Sequence, residues 1–223
     1  MKETLRSKMP DTKLNIKVPQ IVAPALLIIA LAAYARQSSD KPRISLSTGL
    51  SIKVFTSRDD QFWTNSVIIE GTHEVMLADA QLTKTNAERV LQEIKETKKP
   101  LSIIYITHEH ADHFLGLEVF KKAYPRVRII ATSAVVNRIN EVYQEKIDKW
   151  KNILGSGATS HVVAIEKFDG NFIKFESSKI EVLKNIQGDT DENTMLWIPG
   201  QRTLIAWRCL VQQHARLHRR NGQ

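Results

Sequence analysis

An α/β fold is predicted by three observations. The apolar, Ile-rich run 101–106 is bounded by Pro100 and a dense polar cluster and has the length of a buried strand. Segments with apolar residues at helical spacing, 85–98 and 133–153, alternate along the chain with short β-type runs. The polar cluster Thr107-His108-Glu109-His110-Ala111-Asp112-His113 directly follows the first of these runs. It therefore stands at the carboxyl end of a strand, where open α/β sheets place their ligands.

The elements follow in order. Residues 41–49 are a polar lead-in, and Ser51–Thr56 alternates as a half-buried strand does. Residues 65–70 and 74–78 read as a hairpin around Gly71-Thr72-His73, which leaves His73 on the surface. In 85–98, Ala87, Val90, Leu91 and Ile94 form one helical face, with Thr85 or Asn86 as the expected cap. A second helix is expected over 114–124, a strand over 128–131, and a long helix with a charged outer face over 133–153. Gly155-Ser156-Gly157 marks a break, and His161 falls in the exposed loop beyond it. Strands are expected near 162–165, 172–175 and 180–183, followed by a hairpin of 195–198 and 203–205 through Pro199-Gly200. Phe62 and Trp63 precede a strand and are read as packing residues, with contact to an apolar substrate as the alternative.

Imidazole nitrogen and carboxylate oxygen are the donors that borderline divalent metals such as zinc prefer. His108 and His110 can converge on one ion, while Asp112 and His113 leave the turn in another direction and can reach a second. Two ions about 3.5–4 Å apart can clamp and acidify a bridging water. The competing reading is a polar loop whose histidines are incidental.

The motif His108-x-His110-x-Asp112-His113 after an apolar strand resembles that of the metallo-β-lactamase superfamily. Weaker landmarks agree over roughly 51–206. Residues 75–80 resemble the strand ending in the family's structural Asp, here Asp79, expected to orient a loop histidine from behind. Leu115-Gly116-Leu117 resembles the helix after the metal loop. Residues 188–194 resemble the later metal-binding turn, and 204–206 the strand leading to the family's metal-bridging Asp. The resemblance implies a four-layer αββα sandwich whose second half is incomplete in this chain. It implies a hydrolase in which a metal-activated water attacks an ester, lactone, lactam or related bond. His108, His110 and Asp189 would hold the first ion, and Asp112 and His113 part of a second, with Asp112 also the proton-transfer group. One or two Zn2+ ions are expected, ahead of Mn2+ or Fe2+. Asp189 stands where the family usually has His; a carboxylate there makes the ion a poorer Lewis acid and admits harder metals. The same fold also hosts non-heme iron oxidoreductases, but His110 stands where a di-iron version would carry a carboxylate.

The second departure is at the C-terminus. After Leu204-Ile205-Ala206 the family expects Gly-Asp, whereas this chain continues Trp207-Arg208-Cys209 into a tail with four arginines in seventeen residues. A one-base shift within the Trp207 codon is compatible with Gly-Asp at the expected place. Residues 207–223 are therefore expected to be an out-of-frame tail, which resequencing across the codons for 205–223 checks. If the shifted frame encodes Gly-Asp onward, the protein is expected to be a complete di-metal hydrolase; if the recorded frame holds, the chain is expected to be a truncated, catalytically inactive metal-binding remnant.

At the N-terminus, residues 1–20 carry five basic and two acidic residues, and 21–34 are apolar except for Pro24. Ala33-Tyr34-Ala35 offers an A-x-A cleavage site. This is the layout of a signal peptide over 1–35, cleaved after Ala35. The run is shorter than the ~20 residues of a spanning helix. A periplasmic or secreted protein with its domain over 36–206 is expected, without stable membrane insertion after cleavage. The formal net charge is +8, of which the leader supplies +3 and the tail +4. The remaining +1 is no basic footprint for nucleic acid, so a small-molecule substrate is expected. Cys209 is the single cysteine, so no disulfide framework exists.

Overall fold

A computed structural model describes residues 49–58, 62–188 and 190–206. The leader 1–35, the tail 207–223 and Asp189 lie outside the described residues. Two sheets make the frame. The first has six strands in sequential order: β1 (Ser51–Thr56), β2 (Asn65–Glu70), β3 (Val75–Ala78), β4 (Leu101–Tyr105), β5 (Arg128–Ala131) and β6 (Glu166–Lys167). Pairing is antiparallel from β1 to β3 and parallel from β3 to β6. The parallel pairs require crossovers. They are supplied by α1 (Lys84–Glu96), by the short α2 (Ala111–Phe114) with α3 (Leu117–Ala123), and by α4 (Ser133–Leu154). The second sheet is antiparallel, in the order β10 (Thr203–Ile205), β9 (Asn193–Ile198), β8 (Ser178–Ile186), β7 (Phe172–Phe175).

The burial pattern explains the layering. Every residue of β3 is buried, because one face meets the helices and the other the second sheet. Val75, Leu77, Leu101, Ile104 and Ile129 pack beneath Val90 and Ile94 of α1 and Val135, Ile139 and Tyr143 of α4. Met76, Ala78, Ile103, Tyr105 and Ile130 pack against Ile173, Phe175, Ile180, Val182, Leu196 and Ile198 of the second sheet. Each such Leu or Ile removed from water contributes roughly 1.5–3 kcal/mol. An α-β-β succession is thus present among the described residues.

Most predicted elements appear within a residue or two of their expected ends, with three corrections. The cap of α1 is Thr83, whose hydroxyl accepts from the Asn86 amide, and not Thr85 or Asn86. The helix expected over 114–124 is two short helices bent at Gly116. A Cβ on Gly116 would lie 2.0 Å from the Ala80 carbonyl oxygen, so only glycine allows the backbones to close up there. The strand expected near 162–165 is displaced to 166–167. The Val163 amide instead donates to the Tyr143 hydroxyl at 3.1 Å, so this stretch packs on α4 as coil.

Candidate metal centre

The cluster 107–113 leaves the carboxyl end of β4, as expected, and a chain of hydrogen bonds fixes its conformation. Asp79 follows β3 in the left-handed region, with φ 63°. Its Oδ1 accepts from the Thr107 amide at 2.9 Å, and its Oδ2 accepts from the Thr107 hydroxyl and from His113 Nδ1, both at 2.8 Å. Behind it, the Ser66 hydroxyl donates to the Asp79 carbonyl. The Ala80 amide donates to the His113 carbonyl at 2.7 Å, and the Gly116 amide to the Gln81 carbonyl at 2.8 Å. The loop after β3 therefore clamps the C-terminal end of α2.

This network assigns the tautomer of His108. The Thr107 hydroxyl has one proton, and it goes to the Asp79 carboxylate, which can only accept. The contact of 2.9 Å between that hydroxyl and His108 Nδ1 is then an Nδ1–H donating to oxygen. Nε2 of His108 keeps its lone pair. The side chain is buried, and Nε2 has no hydrogen-bond partner. Burial, reinforced by the His113 and His110 charges, pushes the His108 pKa down to about 2, so the ring is neutral. A buried, neutral, unpartnered imidazole nitrogen is a costly atom unless it meets a proton donor or a metal ion.

The other imidazoles gather around it. The His108 ring centroid lies 4.9 Å from that of His110 and 4.0 Å from that of His113. Asp112 accepts from the Thr64 hydroxyl and faces His113 Nε2 at 3.4 Å. Burial raises the Asp112 pKa, but hydrogen bonds from His113 and Thr64 outweigh it and hold the carboxyl well below its usual range. For His113, burial lowers the pKa, but the Asp79 charge and hydrogen bonds to Asp112 and Asp79 raise it to about 10. The donor chemistry therefore fits a borderline divalent ion, with His108 Nε2 as the atom already prepared for it. Among the described residues no group of three or more His, Cys, Asp or Glu side chains stands ready to hold a metal ion.

Of the residues predicted for the site, His108, His110, Asp112 and His113 come together, and Asp189 lies outside the described residues. Asp79 orients His113, the role expected for it. His73 and His161 are exposed, and His161 pairs with Glu118 at 3.2 Å. Three contributors were not foreseen. Thr64 holds Asp112. Thr194 ties the second sheet to the loop, its amide and hydroxyl donating to the Thr107 carbonyl at 3.0 and 2.8 Å. Lys146 of α4 donates to the Glu109 carbonyl at 2.6 Å, and burial lowers its pKa from the usual lysine range. Only the first carried any signal, as a polar residue just ahead of a strand.

Comparison with known proteins gives consistent findings. The family described as "Metallo-beta-lactamase superfamily" matches residues 60–206. A type 2 metallo-beta-lactamase of Bacillus cereus is 25% identical over 153 residues, covering 67% of this chain and 51% of that protein. The exodeoxyribonuclease WalJ of Streptococcus pneumoniae is 37% identical over 60 residues, covering 27% of this chain and 22% of that protein. Among solved structures, the BLEG-1 B3 metallo-beta-lactamase superposes with a TM-score of 0.53 at 13% identity, covering 69% of this chain and 70% of that one. The chain spans about half the length of the metallo-beta-lactamases it matches among curated relatives.

Proposed function

The chain belongs to the metallo-beta-lactamase superfamily, and on that premise we propose that it is a metal-dependent hydrolase of a small molecule bearing an ester, lactone, lactam or related bond. The observation that carries this reading is His108 Nε2, buried, neutral and without a hydrogen-bond partner beside two further imidazoles. His108 and His110 would hold one ion with Asp189, and Asp112 and His113 would hold part of a second. Nitrogen and carboxylate donors favour zinc, ahead of manganese or iron. When bound, the metal supplies Lewis acidity and an acidified water. The protein's own residues supply the rest. Asp79 sets the His113 ring through Nδ1 and sets His108 through Thr107. Thr64 holds Asp112 within the site, where its carboxylate would receive a proton from the attacking water and pass it to the leaving group. The near-neutral balance of the chain outside its leader and tail supports a small substrate over nucleic acid. Export through the leader is part of the same proposal, and N-terminal sequencing of the secreted protein tests it.

The deciding experiment is metal analysis of the purified full chain together with hydrolysis of chromogenic lactams, lactones and esters. Zinc at one or two equivalents with turnover is expected, and His108→Ala should lose both. Metal bound without turnover of any of these substrates overturns hydrolysis in favour of metal binding alone. Iron with oxygen consumption moves the chain to an oxidoreductase.

A further inference from the structure

We propose that Tyr105 is a positioning residue of this centre: its hydroxyl, acting through Thr194, fixes from the second sheet the peptide unit that carries His108. This rests on the metal-centre part of the reading above. Tyr105 stands on β4, three positions before His108, and is fully buried in the core between the two sheets, with Ile130, Phe175 and Leu196. A phenylalanine would fill that space without bringing a polar atom into it. The added oxygen therefore needs a reason, and it meets the Thr194 hydroxyl at 2.9 Å.

Each proton in this series has a fixed direction. The Thr107 carbonyl can only accept, so the Thr194 hydroxyl, 2.8 Å away, gives its one proton there. Thr194 Oγ1 then has only lone pairs to offer Tyr105, whose O–H must donate. Burial holds the phenol above its ordinary pKa, so that proton stays in place. The Thr194 amide fills the second lone pair of the same carbonyl at 3.0 Å. A planar peptide unit joins the Thr107 carbonyl to the His108 nitrogen, so holding one holds the other. Asp79 grips Thr107 from the first sheet, through its amide and its hydroxyl. Tyr105 and Thr194 grip it from the side of the second. Asn193, beside Thr194 at the start of β9, donates its side-chain amide to the Thr190 carbonyl. The first two residues of β9 thus hold the histidine loop and the turn before β9 in one register, and the Tyr105 hydroxyl locks that register to β4.

The test uses the full chain with Tyr105→Phe, Thr194→Val, Thr194→Ser and the double variant Tyr105→Phe/Thr194→Val. Hydrogen exchange of peptides covering 106–113 is measured without metal, and zinc affinity by competition with a chromophoric chelator. Tyr105→Phe is expected to speed exchange in this loop while that of α1 stays unchanged, and to weaken zinc binding by about three- to tenfold. Thr194→Val should weaken it at least as much, and Thr194→Ser should keep the parent values. The double variant should be no worse than Thr194→Val alone, because Tyr105 acts through Thr194. Parent exchange or parent zinc affinity in Tyr105→Phe overturns the assignment, since the phenol is then packing alone. Loop exchange that speeds up only together with α1 marks general destabilisation and overturns it too. Additive losses in the double variant do the same, as Tyr105 would then act by another route. The two readings fail separately. A chain that binds no zinc overturns the metal centre and with it the role given to Tyr105, whereas zinc binding unmoved by the variants overturns that role alone. Zinc binding that follows the variants, with no turnover of any ester, lactone or lactam, keeps the role and removes hydrolysis.

Discussion

Asp79 makes three hydrogen bonds with two oxygens, and each bond orients something the metal loop needs: the Thr107 amide, the Thr107 hydroxyl and the His113 ring. Asp79→Asn keeps the shape but replaces one acceptor oxygen with a donor. The variant is expected to lower zinc affinity by about 10–100-fold while the chain still folds. Competition with a chromophoric chelator measures this, and unchanged affinity would show that Asp79 serves only the backbone. The residue scale is also where the sequence was most and least informative. His108, His110, Asp112 and His113 are adjacent in the chain, so their convergence could be read directly. Thr64 and Lys146 lie 48 and 37 positions from the groups they bind. No local pattern marks a threonine or a surface-helix lysine for such a role.

At the scale of elements, Gly116 permits the sharp bend between α2 and α3. Gly116→Ala would drive a methyl group into the Ala80 carbonyl, 2.0 Å away. Overpacking of this kind costs about 1–3 kcal/mol, and a lowered urea midpoint with an unchanged slope is expected. Glu176, in the turn between β7 and β8, accepts from the Thr72, His73 and Glu74 amides at 2.9, 2.6 and 3.1 Å and so joins one hairpin to the other. Burial raises its pKa, but the three amides and the charge of His73 together outweigh this and lower it below the usual Glu value. A depressed folded pKa contributes stability above the unfolded value near 4.5 and loses it as pH falls through the folded value. Glu176→Gln should therefore cost more stability at pH 7 than at pH 3, as denaturant titration at the two values would show. Elements with strong patterns were legible, α4 above all, because its apolar stripe runs over 22 residues. The bend at Gly116 and the displaced β6 were not, since both are settled by contacts with distant backbone.

At the scale of the whole molecule, two cores share one sheet, and the site lies where its central strand ends. Zinc that binds only the folded chain must raise its stability, by about 2.7 kcal/mol when free ion is one hundred times the dissociation constant. Thermal unfolding with and without chelator should show a reversible upward shift of the midpoint, absent in His108→Ala. An unshifted midpoint would place the ion on groups equally available in the unfolded chain. The two-sheet plan followed from family resemblance and not from periodicity: strand patterns show which faces are buried, but not that the same six-stranded sheet is covered on one side by helices and on the other by a second sheet.

Thr107 and Thr194 are 87 positions apart, yet the second holds the carbonyl of the first at the mouth of the site. The ribosome therefore releases all three loop histidines well before the strand that anchors them has been made. Contacts of such separation close slowly and late. Until β9 has been made, these histidines stand on a loop whose anchor at Thr194 does not yet exist.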